Sequence, residues 1–156
     1  MLTTPHILVG GAIGKQVKSP YAALPLAFAS HFMLDAVPHV DVISLLGFGG
    51  PKSDLVTAAD VLAGAALLLI LVRGQKRMRW ILLGAMAAAA MDAIVLATLC
   101  LPAIGGWPGL SHLCWLHGFI GQLNPNTGRL LGLATQAPAV ILPIFLLCRY
   151  CARSDK

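Results

Sequence analysis

Apolar runs, cut by short polar or Gly/Pro-rich stretches, set the pattern of this chain. Their length and apolarity predict helices of the membrane-spanning kind. A first helix covers residues 5–17, with Thr3 or Thr4 as its cap and Pro5 at its first helical position. At about 1.5 Å per residue it reaches about 20 Å, short of the roughly 30 Å hydrocarbon core of a bilayer. A second run, 20–37, stops at Pro38, because the residue before a proline avoids helical geometry. A loop with Gly47, Gly49, Gly50 and Pro51 leads to a third run, 54–72. A basic hairpin, 73–79, joins it to a fourth, 80–101. Within the longer connection 102–128, residues 111–123 read as a short helix lying in the membrane interface. The fifth run is 127–150, with Pro138 and Pro143 placed to bend it. The pattern is that of an all-α polytopic membrane bundle: about five membrane helices, the first one short, plus an interfacial helix. Residues 1–156 form a single integral membrane domain on this reading.

Composition agrees. The chain is 58% hydrophobic and 11% charged, with a mean hydropathy of +0.81, whereas a soluble domain carries roughly a quarter charged residues. Too little polar surface is available to cover a water-soluble globule. The net charge of +5 reports topology rather than a nucleic-acid partner, because the basic residues flank apolar runs. Lys15, Lys18, Arg73, Lys76, Arg77, Arg79, Arg149, Arg153 and Lys156 fall on one side of a five-helix path, and only Lys52 and Arg129 on the other. The positive-inside rule makes the first side cytoplasmic, with the C-terminus there and the N-terminus outside. The first residues lack a basic n-region, so no cleavable signal is expected.

That path brings the chemistry to one side. All five histidines and five of the six aspartates land in the outer half. The densest stretch is 31–41, where His31 and Asp35 are four apart and share a helix face. His39 and Asp41 follow on the turn after Pro38. His6, Gly10 and Gly14 also share a face, and the two glycines form a strip that lets a neighbouring helix approach closely. Asp60 and Asp92 lie inside the third and fourth runs, where one ionised group costs at least about 2.5–3.5 kcal/mol. A divalent ion is the natural partner for such clustered carboxylates and imidazoles. His6, His31, Asp35, Asp60 and Asp92 are therefore the candidate metal ligands, for one or two ions. The mixed N/O donors suit Zn²⁺, with Mn²⁺ or Fe²⁺ as alternatives. His39, Asp41 and His117 are candidates to complete the shell or move protons. Cys100 and Cys114 lie on one face of the membrane, and Cys148 and Cys151 form an isolated C-x-x-C that carries no argument by itself.

The N-terminal residues resemble a family. Thr4-Pro5-His6 with Gly10 and Gly14, then Asp35-Ala-Val-Pro-His39-Val-Asp41, is similar to small bacterial inner-membrane proteins classed as metal-dependent hydrolases, the YdjM-like family. The resemblance covers about the first 41 residues and the multispan layout. It implies a bacterial inner-membrane location, a metal site drawing on His6, His31, Asp35, His39 and Asp41, and action on a lipid-like ester or phosphoester. The combined expectation is a membrane-embedded metal-dependent hydrolase, its site near the outer leaflet, taking an amphiphilic substrate from the lipid. Segment 111–123 would cover the site, with Trp115, Phe119 and Ile120 toward lipid and its histidines, His112 and His117, toward the pocket. The rival readings are a proton or metal-ion transporter or channel, for which a homodimer would supply further helices, and a non-catalytic scaffold locked by metal.

Overall fold

The computed structural model describes residues 2–39, 51–123 and 129–149. They form seven helices: α1 Thr3–Gln16, α2 Pro20–Ala36, α3 Pro51–Val72, α4 Met78–Cys100, α5 Pro102–Gly105, α6 Pro108–Leu123 and α7 Arg129–Cys148. No strand occurs among the described residues. Six of the seven lie within three residues of the boundaries that the hydrophobic pattern predicts; α5, a single turn, was not foreseen.

Proline explains several of the stops. Ser19 is extended ahead of Pro20, and Val37, at φ −78° and ψ 136°, is extended ahead of Pro38. Gly74, at φ +80°, turns the α3–α4 hairpin through the left-handed region that glycine enters freely. The start of α1 differs from expectation. The helix begins at Thr3, and its N-cap residue, Leu2, supplies no side-chain hydrogen bond. The cap comes from α3 instead. The Thr4 N–H donates to Asp60 Oδ2 at 3.0 Å, and Thr4 Oγ1 donates to the Asp60 carbonyl at 2.9 Å. Pro5 fits this first turn because the N–H it lacks would have been without an intrahelical partner.

The short first helix is the centre of the bundle. It packs against α2, α3, α4 and α7, and ten of its fourteen residues are buried. Glycine makes its closest approach possible. A Cβ on Gly10 would collide with the Gly84 carbonyl and Ala88, and one on Gly14 would collide with the Trp80 carbonyl. The Ala-rich stretch of α4 is the other half of this contact, backbone against backbone. Leu8, Ala12, Leu68, Val72, Ile81 and Leu147 close the aliphatic core below.

Among the described residues two helices, α3 and α4, have the length and composition to cross a membrane. Five are expected from the sequence. The others are shorter: α1 has 14 residues and α2 has 17, and the apolar part of α7 is Ala134–Cys148. The apolar windows of α3 and α4 are only 17% and 28% buried inside the protein. Leu62, Ile70, Met86 and Leu96 point outward at more than half exposure.

Candidate metal centre

At one end of the bundle four helices each deliver a side chain to a common point. α1 places His6 in its second turn. α2 places His31 and Asp35 on one face in its last two turns. α4 contributes Asp92, and α6 contributes His117. Asp35 is the hub: Oδ1 lies 3.3 Å from His6 Nε2, and Oδ2 lies 3.1 Å from His31 Nε2 and 3.2 Å from His117 Nε2. Asp92 Oδ1 is 3.8 Å from His31 Nε2. The His6 and His31 rings stack at 4.1 Å between centroids, and the His117 ring lies 5.2 Å from that of His31.

One hydrogen bond fixes which nitrogen of His31 carries a hydrogen in the neutral ring. His31 Nδ1 lies 2.9 Å from the Ala88 carbonyl. A carbonyl oxygen only accepts, so Nδ1 carries the hydrogen and, in the neutral ring, Nε2 carries a bare lone pair. That lone pair faces two carboxylates. His6 Nδ1 is buried without a hydrogen-bond partner among the described residues, and the contacts of His6 Nε2 and His31 Nε2 with Asp35 lack the alignment of hydrogen bonds. Native interiors rarely leave such atoms unmet, because each costs its full desolvation penalty. Electron-rich atoms converging on electron-rich atoms need a cation between them, either a proton or a metal ion.

The spacing fits a metal. Ligands held tetrahedrally at about 2.0–2.1 Å from one ion lie about 3.3 Å from each other, which is the separation of Asp35 from its three imidazoles. Two triads qualify by distance, His6–His31–Asp92 and His31–Asp35–His117, each with its donor atoms within 4.8 Å of one another. A polar frame orients them. Thr3 Oγ1 donates to Asp92 Oδ2 at 3.0 Å and turns Oδ1 toward His31. Together with the Ala88 carbonyl behind His31, this is the outer-shell arrangement typical of metal ligands. The site is closed on the bundle side and open on another: the side chains of His6 and His31 are 1% and 0% exposed, whereas those of His117 and Asp92 are 26% and 32% exposed.

Of the residues singled out from the sequence, the structure brings together His6, His31, Asp35, Asp92 and His117. It does not bring in Asp60, whose carboxylate caps α1 through Thr4 and belongs to neither triad. His39 is also in neither; its Nδ1 lies 2.9 Å from the Val37 carbonyl, within its own turn. Asp41 lies outside the described residues. On α6, His112 is exposed, as are Trp115 and Phe119, which stack at 5.5 Å. Cys100 and Cys114 are free thiols, and Cys114 Sγ sits 4.0 Å from Thr98 Oγ1. Sequence reasoning missed two contributors. Thr3 had a signal, since it shares a face with His6 at i, i+3. The Ala88 carbonyl had none, because a backbone atom leaves no trace in residue type.

No family model matches this chain, and no curated protein or solved structure matches it either.

Proposed function

We propose that this chain is a multi-pass bacterial inner-membrane protein and a metal-dependent hydrolase acting on a lipid-like ester or phosphoester at the outer leaflet. The observation that carries the metal reading is the bare Nε2 of His31, aimed at two carboxylates and flanked by the buried nitrogens of His6. His6, His31, Asp35, Asp92 and His117 would hold the ion, and their mixed N/O character suits Zn²⁺. A bound divalent ion lowers the pKa of its water to about 7 and so supplies hydroxide for attack on an ester or phosphoester. The chain's own part is to hold the donors rigidly: Thr3 orients Asp92, the Ala88 carbonyl orients His31, and the α1–α4 glycine contact fixes His6 beside both.

Membrane placement rests on the outward-facing apolar surface of α3 and α4. The shorter α1, α2 and α7 complete five spans, with α6 in the interface. The basic residues support the orientation. Lys15 donates to the Leu147 carbonyl and Arg77 to the Val17 carbonyl, so the ends of α1 and α7 and the α3–α4 hairpin gather at the end opposite the site, the cytoplasmic end by the positive-inside rule. An amphiphilic substrate suits the surroundings. The more exposed donors of the site are Asp92 and His117, and the helices that carry them, α4 and α6, also expose Leu96, Leu99 and Phe119. A cavity of about 420 Å³, lined by Val9, Ile13, Leu34, Val37, Leu142 and Leu146 among others, runs between α1, α2 and α7. Transport is the poorer reading, since the described interior between the two ends is aliphatic, from Leu8 and Ala12 to Leu68 and Ile81.

Elemental analysis of the protein in mild detergent, beside the His31→Ala/Asp35→Ala double variant, tests the metal. Stoichiometric zinc, manganese or iron in the parent and none in a folded variant is expected. No metal in either sinks the proposal. Loaded protein is then assayed on a long-chain nitrophenyl ester and a nitrophenyl phosphodiester in mixed micelles. Turnover that disappears in the double variant is expected, and metal without turnover of either would remove the hydrolase reading and leave the scaffold.

A further inference from the structure

The two triads share His31, and this constrains what the centre can hold. His31 has one nitrogen to give. Its Nδ1 is committed to the Ala88 carbonyl at 2.9 Å, which leaves the single lone pair of Nε2, and one lone pair binds one ion. The triads are therefore two arrangements around one ion rather than two filled sites. They differ in which helices they enlist. His6, Asp92 and His31 come from α1, α4 and α2, which pack directly on one another. The other triad reaches out to His117 on α6.

The attachment of α6 to the bundle is of a different kind. It packs on α2 and α4, yet Trp115, Leu116 and Phe119 along it are exposed. A polar contact joins it to α2, His117 Nε2 to Asp35 Oδ2 at 3.2 Å. His117 is also the donor of its triad that is most open to the surroundings, at 26% against 0% for His31 and 6% for Asp35. Resting on the metal reading above, we infer that the centre takes a single divalent ion and that His117 is its detachable ligand. The ion then fastens α6 across the end of the bundle. When His117 lets go, α6 is free to lift, the inner donors keep the ion, and the vacated position is open to an oxygen of an incoming amphiphile.

Cys114, half-buried on α6 against Thr98, is a reporter already in place. In a Cys100→Ser/Cys148→Ser/Cys151→Ser background it is the sole thiol. The experiment measures zinc per chain by elemental analysis. It also measures the rate at which a water-soluble maleimide alkylates Cys114 in detergent, with zinc and after chelation. One ion per chain is expected, with alkylation slowed at least about tenfold by zinc, because a ligand that binds only the docked state stabilises it. His117→Ala, and His117→Gln as a check on folding, should still bind one zinc but lose its effect on alkylation. Two ions per chain, equal alkylation rates with and without zinc, or protection that survives His117→Ala would each overturn the inference. The arms separate the two readings: no zinc in the parent overturns both, whereas zinc bound with unchanged alkylation overturns the detachable ligand alone.

Discussion

The two ends of this bundle are both polar, and they solve the problem of polarity differently. At the basic end three donors, one buried and two half-buried, meet acceptors from the chain itself. Lys15 Nζ donates to the Leu147 carbonyl, Gln75 Nε2 to the Leu71 and Leu147 carbonyls at 2.7 and 3.0 Å, and Arg77 Nη2 to the Val17 carbonyl at 2.8 Å. These acceptors lie at helix C-termini, where the carbonyls lack intrahelical partners and the dipole favours cations. At the acidic end the donors and acceptors do not balance. Asp35 gathers three imidazoles, while the buried nitrogens of His6 and His31 find no well-aligned hydrogen bond among the described residues. A fold that balances one end from within and leaves the other short of a cation has, at that second end, a cluster that could hold a metal ion.

The largest expected effect breaks this contrast directly. His6→Leu removes two buried nitrogens, so it should weaken zinc binding by more than about 100-fold, beyond the range for losing an outer-shell partner. The metal-free protein should meanwhile unfold at the same temperature as the parent or higher, because an unmet buried polar group has gone. Lys15→Met at the other end should leave zinc binding unchanged. It should cost less than about 1.5 kcal/mol, since Gln75 still satisfies the Leu147 carbonyl. Thermal unfolding with and without zinc, read beside a zinc titration, checks all four values. If His6→Leu destabilises the metal-free form as much as the loaded one, the acidic end is as self-sufficient as the basic one.

A smaller effect sharpens the acidic side. Thr3→Val keeps the shape of residue 3 but deletes the hydroxyl that holds Asp92 Oδ2 at 3.0 Å. Zinc affinity should fall by about tenfold, the low end for an outer-shell partner, and Thr3→Ser should restore it. Equal affinities for the Val and Ser variants would reduce Thr3 to a packing residue.

Much of this arrangement was legible in the chain. The helix boundaries follow from apolar runs punctuated by Pro20, Pro38, Pro51 and Gly74, all local signals. His31 and Asp35 were legible as a pair because i, i+4 spacing fixes a shared face whatever the tertiary structure. What a helix does after it forms was less legible. His112 and His117 are five residues apart, about 140° around α6, so only one can face the bundle, and nothing in their local sequence says which. The pattern also located a short first helix without revealing that it is the central one. That follows from the fit of Gly10 and Gly14 to Gly84 and Ala88, a match between segments some seventy residues apart.

Asp60 and Asp92 show the limit most clearly. Both are aspartates in the interior of apolar helices, and the sequence treats them alike. The structure gives Asp92 to His31 and Thr3, and Asp60 to the N-terminus of α1. An aspartate there is stabilised by the free N–H groups and positive dipole end of the helix it caps. Its burden is therefore met from within, like that of Lys15 at the opposite end, although it sits at the acidic end. Asp60→Asn should accordingly leave zinc stoichiometry unchanged and lower stability by only about 0.5–1 kcal/mol, while Asp92→Asn should lose the ion. Zinc content and unfolding midpoints of the two variants decide the matter. Loss of zinc from a folded Asp60→Asn protein would return Asp60 to the ligand set and move the boundary of the metal centre into α3.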